Sequence, residues 1–135
     1  MDLNLKHKIE KKIKIAIIGG SFDSTIAKTH LRSLLATNKF EIVCGCFSRN
    51  KNKNKANSLF YFLPKNKIYN DVNKLINFEH KNINLALVLT PPLKRYKIYS
   101  SLANKNIGII AEKPFESNFE DANIAYNLLK KTKPF

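Results

Sequence analysis

Glycine is scarce in this chain: 135 residues carry only four, yet two of them stand side by side at Gly19 and Gly20. A sequence so short of flexible positions spends a pair where the backbone turns sharply or passes close to something else. Cysteine is scarcer still, with Cys44 and Cys46 alone. Two thiols two residues apart do not make a zinc site, and a disulfide across Gly45 would be strained. The surrounding "EIVCGCF" reads as a strand, so both side chains point the same way and are expected as core thiols in a reducing compartment. Long apolar runs are also missing: Ile15–Ile18 and Leu85–Leu89 fall far short of the roughly 18 residues that cross a bilayer. No small-residue cleavage site follows the basic N-terminal stretch, which leaves a soluble, cytoplasmic, unprocessed chain as the expectation, with no membrane partner. Acidic residues are outnumbered, 10 against 24 Lys and Arg, for a formal charge of +14.

That charge invites a polyanion as partner. The lysines, however, are spread along the whole chain and alternate with Asn, as in "RNKNKNKAN", while Tyr and Phe fall at apolar helix or strand positions rather than among the basic loops. A nucleic-acid interface clusters its cations and interleaves aromatics to stack bases. A basic nucleic-acid binder therefore stands only as a further alternative, and a solvated basic surface is the simpler reading.

At this length one domain with a substantial core fits, and a second does not. Short apolar runs (Ile13–Ile18, Phe40–Phe47, Leu85–Leu89, Ile107–Ala111, with a brief one in Lys67–Asp71) look like strands buried on both faces. Helical patterns lie between and after them, over Ile26–Ala36, Lys53–Phe62, Val72–Phe78, Tyr96–Asn104 and Asn118–Lys131. In the first of these, Ile26, Leu31, Leu34 and Leu35 are expected to form the apolar face. The alternation predicts an α/β fold with a doubly wound parallel sheet over residues 13–135, preceded by a loose basic leader over residues 1–12.

In such a sheet the turn from the first strand into the first helix receives a pyrophosphate on free helix N–H groups. Gly19 and Gly20 end that strand, and Ser24 or Thr25 is placed to cap the helix that carries His30. The usual G-x-G-x-x-G is not met: Ser21 stands where a second close-approach glycine is wanted, and Ala27 is the only small residue available where helix and strand pack. The second strand ends "CFSRNKNK", with no acidic residue between Gly45 and Ala56. A carboxylate there would take the ribose 2′-hydroxyl; Ser48 and Arg49 suit a 2′-phosphate instead, which favours NADP over NAD.

The later residues are more specific. "LTPPLKRY" and "IIAEKPFESNFEDANIAYNLLKK" resemble the Gfo/Idh/MocA family of NAD(P)-dependent oxidoreductases, which carry a Thr-Pro turn after the fourth strand and a Glu-Lys-Pro turn after the fifth. Thr90-Pro91-Pro92 and Glu112-Lys113-Pro114 match these turns, and Gly19, Gly20, Ser21, Ile26, Ala27 and His30 fall on the positions of the family's elongated glycine turn. The resemblance implies a Rossmann fold with Gly19, Gly20, Ser21, Ile26, Ser48, Arg49, Thr90, Pro91, Glu112 and Lys113 around the cofactor. It makes Lys113 the residue that assists hydride transfer between nicotinamide and a hydroxyl-bearing carbon. Arg95 departs from the family, which has His at that position.

The family's second, substrate-binding α/β domain is not matched here, and Pro134-Phe135 looks like the crossing into it. The expectation is accordingly the cofactor domain of a sugar or polyol oxidoreductase, truncated or half of a split enzyme, with a sugar or polyol as substrate only if a second domain is supplied. The alternative is a non-catalytic nucleotide-binding module that hides its exposed face by homo-oligomerisation.

Overall fold

A computed structural model of the chain describes residues 11–132. Most of the leader expected over residues 1–12, and the Pro134-Phe135 crossing, lie outside the described residues.

Strands β1 (Ile13–Gly19), β2 (Phe40–Cys46), β3 (Ile68–Tyr69), β4 (Leu85–Leu89) and β5 (Gly108–Ala111) alternate with helices α1 (Thr25–Thr37), α2 (Lys51–Phe60), α3 (Val72–Glu79), α4 (Tyr96–Ala103) and α5 (Phe119–Lys130). The strands form one all-parallel sheet in the order β3-β2-β1-β4-β5. The chain builds outward from β1 to β3, then crosses back to β4 on the other side of β1. That reversal puts a switch point between β1 and β4, where crevices open at the carboxyl ends of the strands. This is the doubly wound α/β architecture the alternation predicts.

Side-chain alternation along β1 explains its unbroken apolar run. Ile15 and Ile17 enter the core beneath α1 and α2 with Ala27, Leu31, Leu63 and Leu87. Ala16 and Ile18 enter the opposite core with Cys44, Cys46, Leu75, Val88, Tyr99, Leu102 and Ala125. All four β1 residues are at most 1% exposed, so neither face of the strand tolerates a polar residue. Both cysteines are free, buried and on one face, as their spacing predicts.

The helices start where the sequence offers side-chain acceptors. Ser24 caps α1 through Ala27 N–H, Asn50 caps α2 through Asn52 and Lys53 N–H, Asp71 caps α3 through Lys74 N–H, and Asn118 caps α5 through Asp121 N–H. One expectation fails. Ile26 and Leu35 are exposed, and the face of α1 that packs is Ala27, Leu31 and Leu34, spaced four and three residues apart. Among the described residues, no helix is long and apolar enough to cross a membrane.

Candidate functional site

The carboxyl edge of the sheet gathers the turns that follow β1, β2, β4 and β5. At the end of β1 both glycines take positive φ, +80° at Gly19 and +67° at Gly20, which L side chains adopt only under strain. The close approach expected there is made first to the protein itself. A Cβ on Gly19 would lie 2.6 Å from the backbone nitrogen of Thr90, and one on Gly20 would lie 2.6 Å from Leu89 Cδ1 and 3.3 Å from the Ala27 methyl. Ala27 is thus the small residue at the helix–strand contact. The N–H groups of Thr25 and Ile26, at the open end of α1, have no partner among the described residues.

Helix α2 holds this turn from behind. Asn57, fully buried, accepts hydrogen bonds on Oδ1 from Phe22 N–H at 2.7 Å and from the Ser21 hydroxyl at 3.1 Å. One helical turn on, the Tyr61 hydroxyl donates to the Gly20 carbonyl at 2.5 Å, and burial pushes its pKa up. The Tyr61 ring stacks at 4.6 Å on Phe47, whose own ring fills the space a side chain at position 45 would need. Ser21 is therefore committed to Asn57. Asp23, exposed in the same turn, pairs with Lys53 at 3.1 Å, and that hydrogen bond holds its carboxyl below the usual range.

After β2, Ser48 Oγ accepts from Asn50 N–H at 3.0 Å and its carbonyl accepts from the Asn54 amide at 2.7 Å, so the loop is fixed by the first turn of α2. Arg49 is exposed and has no partner among the described residues. Beyond them lies a cavity of about 480 Å³ bordered by Lys51, Lys55, Lys65 and Tyr69.

The turns after β4 and β5 meet through Arg95. This side chain, 3% exposed, donates from Nε at 2.8 Å and from Nη2 to the Thr90 carbonyl, and from Nη1 to the carbonyls of Glu112 at 2.5 Å and Pro114 at 2.8 Å. The Glu112 side chain faces α1, where Oε1 lies 3.2 Å from His30 Nε2. With the proton on Nε2, His30 donates to it, and Oε2 has no partner among the described residues. Lys113 and Pro91 are exposed, and Lys113 makes no hydrogen bond or ion pair among the described residues. The Thr90 hydroxyl is buried and has no partner among the described residues.

The structure thus brings Gly19, Gly20, Thr90, Glu112 and His30 into one continuous set of contacts, with Ser21 and Ala27 beside them. Ser48 and Arg49 lie at the next strand end, and Ile26 stands exposed on the first turn of α1. Sequence reasoning missed Asn57, Tyr61 and the Asp23–Lys53 pair, and it registered Arg95 only as a departure. A polar residue four positions before the Tyr that ends α2 was the available signal, drowned by the surrounding asparagines. The arrangement fits a dinucleotide: two free helix amides for phosphate, an unsatisfied Thr90 hydroxyl, and a carboxylate oxygen at the far end of the same edge.

Among solved structures, the oxidoreductase from Sinorhizobium meliloti matches with a TM-score of 0.84 at 22% identity, over 93% of this chain and 36% of its own. An inositol dehydrogenase homolog from Azotobacter vinelandii, complexed with NAD+, gives 0.79 at 22% identity, over 93% and 33%. Biliverdin reductase from Synechocystis sp. PCC 6803, in complex with biliverdin and NADP+, gives 0.72 at 12% identity, over 89% and 35%. At these identities the likeness is one of fold, and this chain spans about a third of the length of each of these structures. No curated protein sequence matches it. The family described as an oxidoreductase family with an NAD-binding Rossmann fold matches residues 13–134. With a five-stranded parallel sheet and that match over nearly its whole length, the chain belongs to the Gfo/Idh/MocA oxidoreductases, within their NAD-binding Rossmann fold.

Proposed function

We propose that residues 13–135 form a dinucleotide-binding domain that holds NADP in preference to NAD, as the cofactor end of a cytoplasmic oxidoreductase acting on a sugar or polyol. The observation that carries this reading is the junction of three turns: Gly19 lies against Thr90, and Arg95 ties Thr90 to Glu112. A linked pair of nucleotides needs that continuity along the carboxyl edge. The amides of Thr25 and Ile26, beside Gly19, Gly20 and Ser21, take the pyrophosphate, with the exposed Ile26 side chain flanking it. Ser48 and Arg49 take the 2′-phosphate; their loop carries no acidic residue between Gly45 and Ala56, and the lysine-lined cavity next to them adds positive potential.

At the other end Thr90 and Pro91 form one wall, and Glu112, oriented by His30, offers its free oxygen to the nicotinamide ribose or carboxamide. Lys113, an exposed point charge, polarises the substrate oxygen. The bound cofactor supplies the hydride chemistry. This chain's own residues bind, orient and polarise, and substrate contacts come from outside the described residues. Turnover by this chain alone is therefore expected to be negligible, because an unpositioned substrate forfeits the proximity contribution.

Fluorescence titration with NADPH and NADH tests the proposal. Saturable binding of both is expected, tighter for NADPH, with Arg49→Ala removing about tenfold or more of that preference, the worth of one charge-assisted contact. No saturable signal for either nucleotide overturns the reading, and equal affinities overturn the preference.

A further inference from the structure

Arg95 is a buried cation with no carboxylate within salt-bridge distance among the described residues. Such a charge costs free energy to bury unless its donors are used, and here four of its five N–H groups are spent on backbone carbonyls from two different turns. The rigid guanidinium fork fixes the Thr90 carbonyl relative to those of Glu112 and Pro114, which a flexible ammonium would not do.

The contact is returned from the other side. Glu116, 7% exposed, accepts on Oε1 from the Tyr96 N–H at 2.5 Å, so the turn after β5 caps the helix that follows Arg95. Tyr99, one turn further along α4, donates its hydroxyl to the Phe115 carbonyl at 3.1 Å and stacks on the Phe115 ring at 5.2 Å. Every residue from Glu112 to Glu116 except Lys113 is thereby tied to the start of α4, and Lys113, exposed, makes no hydrogen bond or ion pair among the described residues.

We infer that Arg95 and Glu116 form a reciprocal clip that sets Glu112 and Lys113 against Thr90, and that they are positioning residues for the nicotinamide end of the site. The inference rests on the proposed cofactor reading. It makes a demand that a merely structural role does not: the clip affects only the part of the ligand that reaches Glu112. The adenosine and 2′-phosphate end, held by Ser48 and Arg49 on the other side of β1, is indifferent to it.

The test compares two ligands, NADPH and 2′-phospho-ADP-ribose, which lacks nicotinamide. In the unaltered chain NADPH is expected to bind more tightly. Arg95→Lys keeps the charge and loses the fork; it is expected to reduce that advantage about tenfold while the affinity for 2′-phospho-ADP-ribose changes less than about twofold. Parallel weakening of both ligands, or no change in either, overturns the inference. Should Arg95→Lys fail to fold, Glu116 decides: Glu116→Gln retains an acceptor for Tyr96 N–H and is expected to keep the advantage, whereas Glu116→Ala loses it. Equal behaviour of the two Glu116 variants overturns the clip. If the unaltered chain binds both ligands equally, the clip falls and the cofactor reading stands; if it binds neither, both fall.

Discussion

Gly19 and Gly20 share a positive φ but not a neighbour, and the difference decides what each tolerates. A methyl at position 19 runs into the backbone where β4 ends, at Leu89 and Thr90, which cannot swing aside, whereas one at position 20 meets the far end of the Leu89 side chain. Gly19→Ala is expected to destabilise by roughly 2–5 kcal/mol, combining left-handed strain with overpacking. At about 4 °C per kcal/mol the melting temperature falls by roughly 8 °C or more. Gly20→Ala should cost clearly less, and thermal melts of the pair that come out in the reverse order refute the assignment. Asn57→Ala strands the Phe22 N–H and is expected to cost roughly 1–3 kcal/mol, read from urea midpoints. Burial pushes the thiols of Cys44 and Cys46 up to about 12 and about 11, so they are protonated at neutral pH. Native protein should resist alkylation that unfolded protein undergoes within minutes; rapid labelling in buffer contradicts the packing.

At the scale of elements, α3 is fastened to β3 by a buried carboxylate. Glu79 accepts from Lys67 Nζ at 2.7 and 3.0 Å and from the Tyr69 hydroxyl at 2.7 Å. Burial alone would raise its pKa, but these hydrogen bonds together outweigh it and the carboxyl lies below its ordinary 4.5. A depressed pKa contributes stability that is fully present above the unfolded value and is lost as pH falls through the folded one. Unfolding free energy should therefore drop below about pH 4.5, and Glu79→Gln should flatten that acid limb while lowering stability at neutral pH; an unchanged slope refutes the linkage. The elements themselves were legible because burial on both faces of a parallel sheet leaves continuous apolar runs, as in Ile15–Ile18, and their spacing leaves room only for crossover helices. Their supports were not. Asn57 sits in "KNKNKANSLF", where abundant asparagine conceals the single buried one. Arg95 binds carbonyls, which every residue carries and which therefore leave no mark in a sequence. His30 meets Glu112 across 82 positions, a pairing that only the return of the chain to β4 and β5 creates.

The whole molecule carries +14 with its cations dispersed, which separates two kinds of anion binding. A built nucleic-acid interface making several phosphate contacts gives a log–log salt slope well beyond about −5, whereas a diffuse basic surface is expected to give a shallow slope, of magnitude about 2 or less, on double-stranded DNA. A steep slope would favour the nucleic-acid alternative. The lysines around the cavity beside α2 have a kinetic corollary. They lie at one end of the carboxyl edge, so an incoming dinucleotide polyphosphate meets their field before it meets any hydrogen-bond donor. In the proposed orientation its adenosine end is expected to be drawn in first and its nicotinamide end to settle afterwards. Stopped-flow mixing should then show an association rate that slows severalfold between about 0.02 and 0.2 M salt while dissociation scarcely changes, the mark of steered encounter rather than of stronger grip.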